Sequence, residues 1–269
     1  MQSRPLVLAA TLVTVAVSGC VRPARGAPAA WNRVVLVELF TSQGCSSCPP
    51  ADEFVRDLPR RGLGREKVLP LTFHVDYWDD LGWRDPFATP AFTERQRWYA
   101  DSGRLRPAGG AGGLSGLYTP QMIVGGTVHF SGGQTAVAAA EIARAAGRAP
   151  EVDLTGATTR AGDDLTVLLR VAPRAGFDRA QDWRAVVALS AKSTRTRVLR
   201  GENRGETLEE AAVVRALSDR LPIGGPAGPL RLTLRKPADL PWAEVEVVAF
   251  VQSETTRQIA VARAFDPPR

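Results

Sequence analysis

The chain has 269 residues, 34 Lys and Arg against 28 Asp and Glu, and 44% hydrophobic residues. This is the composition of a soluble globular protein, long enough to bury a sizeable core and to form two domains of ordinary size. The net charge of +6 comes almost wholly from Arg, with Lys only at 67, 192 and 236, and bases are interleaved with acids along the chain. With no basic block, a nucleic-acid partner is not expected.

Met1 to Arg4 is a short basic start, and Leu6 to Val17 is an apolar run too short to span a bilayer. Val17-Ser18-Gly19-Cys20 follows. Residues 1–20 read as a secretory signal. The small-residue triplet ending in Cys resembles the lipobox of bacterial lipoproteins, which implies that Cys20 carries lipid and begins the mature chain. The alternative is an ordinary signal cut later, after Ala27 or Ala30. Either way the chain is expected to be exported and periplasm-facing; on the lipobox reading Cys20 is its membrane anchor and residues 21–32, rich in Pro, Ala, Arg and Gly, are a tether.

Val34 to Phe40 reads as a buried strand, and beyond it Ala51, Phe54, Val55 and Leu58 recur at i, i+3, i+4 and i+7, one face of an amphipathic helix. Between them stands Cys45-Ser46-Ser47-Cys48. Two thiols so spaced at the mouth of a helix can form, break and exchange a disulfide. The unpaired N–H groups of a helix N-terminus favour a thiolate, which makes Cys45 the attacking sulfur and Cys48 the resolving one. In an oxidising compartment a lone C-x-x-C without zinc-finger companions reads as a redox pair, and with Cys20 acylated no odd thiol is left over.

Pro59 and the Gly62/Gly64 pair end the helix, and Val68 to Val75 reads as a second buried strand. Asp76 to Phe87 is dense in aromatics and carboxylates. Asp76, Tyr77, Trp78 and Trp83 are candidates to line a groove beside the Cys pair; the alternative is that these aromatics cap the sheet. Thr89 can N-cap a helix with Pro90 at its first position. The glycine-rich run Arg106 to Gly116 lacks the Gly-Lys-Ser/Thr ending of a phosphate loop and reads as a flexible connection. Tyr118 to Phe130 fits two strands around Gly125-Gly126, with Pro120 leading into the first. Gln134 to Arg148 is an Ala-rich helix closed by Gly147 and Pro150.

From Glu151 the texture changes. Short apolar or alternating runs at 165–172, 183–191, 195–199, 230–234, 245–252 and 258–265, separated by Gly, Pro, Asp and Asn, predict an all-β, sandwich-like domain over 150–269. Leu208 to Leu217 fits a helix or a connecting segment equally well.

The order of elements over 33–149 looks like an α/β thioredoxin-like domain. More closely, Val37 to Asp52, His74 to Asp79 and Tyr118 to Met122 resemble the bacterial DUF1223 family, over most of residues 33–265. The glycine-rich run before Tyr118 looks longer than the family's usual connection. The thioredoxin resemblance implies Cys45 as nucleophile, Cys48 as resolving thiol, and Pro120 as a cis-proline beside the disulfide, with Thr119 offering its backbone to a substrate chain in strand-like pairing. It also implies that Glu38 is a buried acid beneath Cys48, able to take its proton. The alternative for Glu38 is a carboxylate paired with an Arg.

The expected activity is therefore exported thiol–disulfide exchange on a cysteine-containing protein or small thiol, without a cofactor. A non-catalytic envelope binding or assembly protein with a structural disulfide is the alternative. A metal-binding chaperone would need ligands such as His74 and Asp76 beside the two thiols; neither His74 nor His129 has a helically spaced partner ligand, and His74 reads as a satisfied strand histidine, so no metal is expected.

Overall fold

The computed structural model describes residues 31–109, 114–224 and 228–267. The signal segment, Cys20, most of the tether and residues 110–113 of the glycine-rich connection lie outside the described residues.

Among the described residues there are three α-helices and thirteen strands, a mixed, sheet-dominated α/β architecture. The first half runs β1 (Val35–Thr41), α1 (Pro49–Arg56), β2 (Val68–His74), α2 (Pro90–Ala100), β3 (Arg106–Pro107), β4 (Gln121–Val124), β5 (Val128–Ser131) and α3 (Thr135–Ala146). The second half runs β6 (Val152–Ala161), β7 (Asp164–Pro173), β8 (Trp183–Arg197), β9 (Thr207–Leu217), β10 (Leu221–Pro222), β11 (Leu230–Arg235), β12 (Val245–Ser253) and β13 (Ile259–Phe265).

β1 lies between β2, parallel to it, and β4, antiparallel to it, and all seven of its residues are buried. Burial on both faces explains why it reads as an unbroken apolar run. Its odd residues, Val35, Val37 and Leu39, pack with Phe54 and Val55 of α1 and Ile142 of α3. Its even residues Leu36 and Phe40 point to the opposite face, into a core shared with Leu69, Leu71 and Phe73 of β2 and with Val186, Ala188, Val214, Val248 and Phe250 of the second half.

One large sheet has the order β13-β12-β8-β9-β2-β1-β4-β5-β3, with β10 on β8. The halves meet where β9 runs parallel to β2, Thr72 opposite Val213, and Thr72 Oγ1 donates to Ala211 O at 2.8 Å. β13 also touches β1 and β2, so the sheet rolls around the shared core. A second sheet, β11-β7-β6, packs Leu165, Val167, Leu169, Leu232 and Leu234 against Ala185, Val187 and Leu189 of β8 and Val247, Ala249 and Val251 of β12. β8 thus buries odd residues on one sheet and even residues in the other core.

Leu208 to Leu217, whose sequence fits a helix or a connection equally well, is strand β9. Its Leu-Glu-Glu-Ala-Ala composition suits a helix, but pairing with β8 along most of its length overrides that preference. The run at 195–199 continues β8 instead of forming its own strand. β6 gave little sequence signal because only Val152 and Leu154 of its ten residues are buried. Thr89 stands at the N-cap of α2 with extended backbone, yet its hydroxyl makes no capping bond.

Candidate functional site

After Thr41 the chain makes two tight turns, Cys45 N–H to Ser42 O at 3.1 Å and Cys48 N–H to Cys45 O at 3.2 Å, and enters α1 at Pro49. Pro fits the first helical position because its missing N–H would have no helical partner. Cys48 is the N-cap, its carbonyl accepting from Ala51 and Asp52. Cys45 lies one turn earlier, not inside the first turn of the helix. The two cysteines form a disulfide with Cα atoms 5.5 Å apart. Both are wholly buried, whereas Ser46 and Ser47 between them are exposed.

The Thr119–Pro120 peptide bond is cis, as the thioredoxin resemblance implies. Pro120 is carried close to α1 by Gly132, whose N–H donates to Pro120 O at 2.9 Å. A Cβ at Gly132 would stand 2.8 Å from Ala51 Cβ and 3.2 Å from Pro120 Cβ, so no side chain fits there. Gln96 of α2 holds the same segment, donating to Tyr118 O at 2.8 Å. Trp78 ties it to the loop of Cys45 and Cys48. Its Nε1–H donates to Thr119 Oγ1 at 2.9 Å, and its Cβ is 3.4 Å from where a Cβ on Gly44 would be. Among the described residues neither the N–H nor the C=O of Thr119 is hydrogen-bonded.

Cys45, Cys48, Trp78, Thr119 and Pro120 are thus brought together. Tyr77 stands next to Trp78, 37% exposed, and burial pushes its hydroxyl up to about 12. Asp76 is turned to α2 instead: its N–H donates to Thr93 Oγ1 at 3.1 Å, and Thr93 Oγ1 donates to its Oδ1 at 2.5 Å.

Glu38 is not beneath the Cys pair, and strand parity is the reason. It shares the face of Leu36 and Phe40, opposite the face on which α1 packs. There Arg95 Nε donates to its Oε1 at 2.6 Å and the Tyr99 hydroxyl to its Oε2, with Gln252 completing the network around Arg95 and Tyr99. This is the Arg-paired alternative. The carboxyl on the side of α1 is Asp52, one helical turn after Cys48 and buried, with Thr41 Oγ1 donating to its Oδ2 at 3.2 Å. The i, i+4 spacing of Cys48 and Asp52 in the sequence was the available signal.

Asp52 belongs to a buried cluster with His74, Asp85 and Glu210. His74 Nδ1 is 2.7 Å from Asp85 Oδ2, and its Nε2 is 3.7 Å from Glu210 Oε1, beyond hydrogen-bonding distance. Asp52 Oδ1, His74 Nε2 and Glu210 Oε1 are buried without partners. His74 is therefore engaged with Asp85 and separated from Asp76, and among the described residues no three His, Cys, Asp or Glu side chains are arranged to hold a metal ion.

Burial, joined by the neighbouring Glu210, holds the Asp52 carboxyl well above the usual carboxylate range, and burial also raises Glu210. For His74 burial favours the neutral ring, but Asp85 and Glu210 outweigh it and raise the pKa to about 9. A histidine whose folded pKa exceeds its unfolded value stabilises the fold fully below about 6.5, and the contribution is lost as pH rises through about 9. Melting of the wild type should weaken over that window by up to about 3 kcal/mol, and His74→Gln should remove this slope. The raised carboxyls act with the same sign from lower pH. An unchanged slope in His74→Gln would show that His74 is not its source.

The second half also reaches the Cys pair, which nothing in the sequence announced. In the loop between β8 and β9, Asn203 Nδ2 donates to Gln43 O at 2.9 Å and to Cys45 O at 3.0 Å. Glu202 Oε2 accepts the Ser46 N–H at 3.0 Å, and the bonds from Ser46 lower its pKa.

The model of one protein family, described as a protein of unknown function (DUF1223), matches residues 36–252. The chain belongs to the DUF1223 family. The match spans both halves, from β1 to β12, so the cysteine pair and the loop that meets it lie within one family unit. No curated protein matches the sequence. The crystal structure of a structural-genomics protein from Agrobacterium tumefaciens is similar at 26% identity and a TM-score of 0.57, over 87% of this chain and 94% of that one. A domain of the outer membrane lipoprotein Omp28 from Porphyromonas gingivalis aligns at 9% identity over 44% of this chain and 88% of its own, with a TM-score of 0.30, too low to carry an argument. Among the described residues no helix is long and apolar enough to cross a membrane.

Proposed function

We propose that this DUF1223 member is an exported thiol–disulfide oxidoreductase, with a thioredoxin-like redox region in residues 33–149, a β-rich partner region in 150–269, and Cys20 as lipid anchor. The observation that supports it most is the span of Trp78 from the loop of the Cys45–Cys48 disulfide to Thr119, the one residue beside the cis Pro120 bond whose N–H and C=O are both unbonded among the described residues. In the reduced protein the Cys45 thiolate attacks one sulfur of a substrate disulfide. The Sγ–S bond forms and the other substrate sulfur leaves as a thiolate. Cys48 gives its proton to the Asp52 carboxylate and attacks Cys45 Sγ; the internal disulfide forms and the substrate leaves as its second thiolate. The same steps run in reverse.

The burial of both cysteines favours a second reading, a structural bridge in an envelope binding protein. A redox titration of the Cys45/Cys48 pair separates them. An exchanging pair is expected between roughly −270 and −120 mV, and a value below about −300 mV would establish the inert bridge.

A further inference from the structure

We infer that the loop joining β8 to β9 is a latch on the redox loop, and that Glu202 and Asn203 select polypeptide over small-thiol substrates at Cys45. The inference rests on the exchange reading for its substrate, but the latch itself is testable without it.

The loop is a self-contained unit. Val198 N–H bonds Glu206 O at 3.0 Å and Gly205 N–H bonds Val198 O at 2.9 Å, which closes its neck. Inside it, Arg204 N–H bonds Gly201 O and Glu206 N–H bonds Asn203 O. Gly201 and Gly205 take φ of +73° and +92°, which L side chains rarely adopt. None of these bonds involves the redox loop, so the loop can leave it as a body.

Its Asn203 and Glu202 side chains make three hydrogen bonds to main-chain groups on either side of the Cys45 sulfur, at Gln43 O, Cys45 O and Ser46 N–H, and the Ser46 side chain adds a bond to Glu202. Gly201 adds a close approach to Trp83, whose Nε1–H donates to Gln43 Oε1 at 3.2 Å. Under this cover Cys45 has no exposed surface. An attacking thiolate must reach Cys45 Sγ; the Sγ–Sγ bond then breaks and Cys48 leaves as a thiolate that takes up a proton. A polypeptide carries amide N–H and C=O groups that replace Asn203 and Glu202 in kind as they let go. Dithiothreitol carries no amides, only two hydroxyls on a freely rotating four-carbon chain that does not hold them in register with Cys45 O and Ser46 N–H, so it replaces the lost latch bonds less fully than a polypeptide does.

The test uses the oxidised full chain and follows opening of its disulfide by alkylation and mass, with two probes: dithiothreitol, and a short unstructured peptide bearing one reduced cysteine. Glu202→Ala together with Asn203→Ala should open about tenfold faster with dithiothreitol, the effect expected of losing hydrogen bonds of ordinary strength, and gain less with the peptide. The Ser46 amide should lose protection from hydrogen exchange. If the double variant fails to fold, Glu202→Ala alone, at an exposed position, gives the same readouts. A dithiothreitol rate equal to wild type overturns the latch, and equal acceleration of both probes overturns the selection. Faster opening of a pair whose titration marks it as an inert bridge would leave the latch standing and remove the exchange reading.

Discussion

Cys48→Ser should accumulate covalent, reductant-sensitive adducts with its partners when the full chain is expressed in an exporting host, and Cys45→Ser should accumulate few. If Cys45 attacks, removal of Cys48 stops the reaction at the mixed disulfide, because no second thiol remains to resolve it. Removal of Cys45 leaves Cys48 at the N-cap, one turn deeper along the chain. A yield ratio on the order of tenfold is expected, which corresponds to only about 1.4 kcal/mol in barrier. A structural disulfide makes the two substitutions equivalent, since each loses the same cross-link and frees one sulfur. Equal adduct yields would therefore favour the envelope-binding reading. The same extracts test the anchor: adducts of an acylated chain sediment with membranes, and a Cys20→Ala form releases them.

A fragment ending near Arg148 should not fold to a stable, cooperative structure, although the change of texture at Glu151 leads one to expect an independent unit there. In the intact chain Leu36, Phe40, Leu69, Leu71 and Phe73 are buried against Val186, Ala188, Val214, Val248 and Phe250. Each large apolar side chain so buried contributes roughly 1.5–3 kcal/mol, so five of them exposed together approach the entire stability of a domain, about 5–15 kcal/mol. The fragment also loses Gln252 from the buried Glu38–Arg95–Tyr99 network and Glu210 from the cluster around His74. Far-UV dichroism and hydrogen exchange on the fragment are the measurements. A cooperative melt with protected amides in β1 and β2 would show that the first half completes its own core.

Local signals carried the cysteine loop. The apolar run before Cys45, the amphipathic spacing after Cys48 and the Thr-Pro and Gly-Gly steps depend on neighbours a few residues apart, and the strand, the helix and the turn form there, although α1 ends at Arg56 and Leu58 reaches the core from beyond it. Glu38 shows the limit of that kind of inference. Proximity along the chain put it near the cysteines, but the two-residue period of a strand sends it to the far face, into a pair with Arg95. Asp52 was missed, although its i, i+4 relation to Cys48 offered a local signal. Asn203, Glu202 and Glu210 offered none, because they are separated from the cysteine loop by more than 150 residues and carry no local pattern.

The sequence by itself determined the longer strands and the three helices of the first half, the pairing of Cys45 with Cys48 as neighbours on one loop, and the family, though not the short β3 inside the glycine-rich connection. Only the tertiary structure decided that β9 runs beside β2, that one core serves both halves, and that a loop of the second half rests on the loop of Cys45 and Cys48. The physical reason is that hydrophobic burial is non-directional: an apolar strand announces that it will be covered, and only the folded chain says by what.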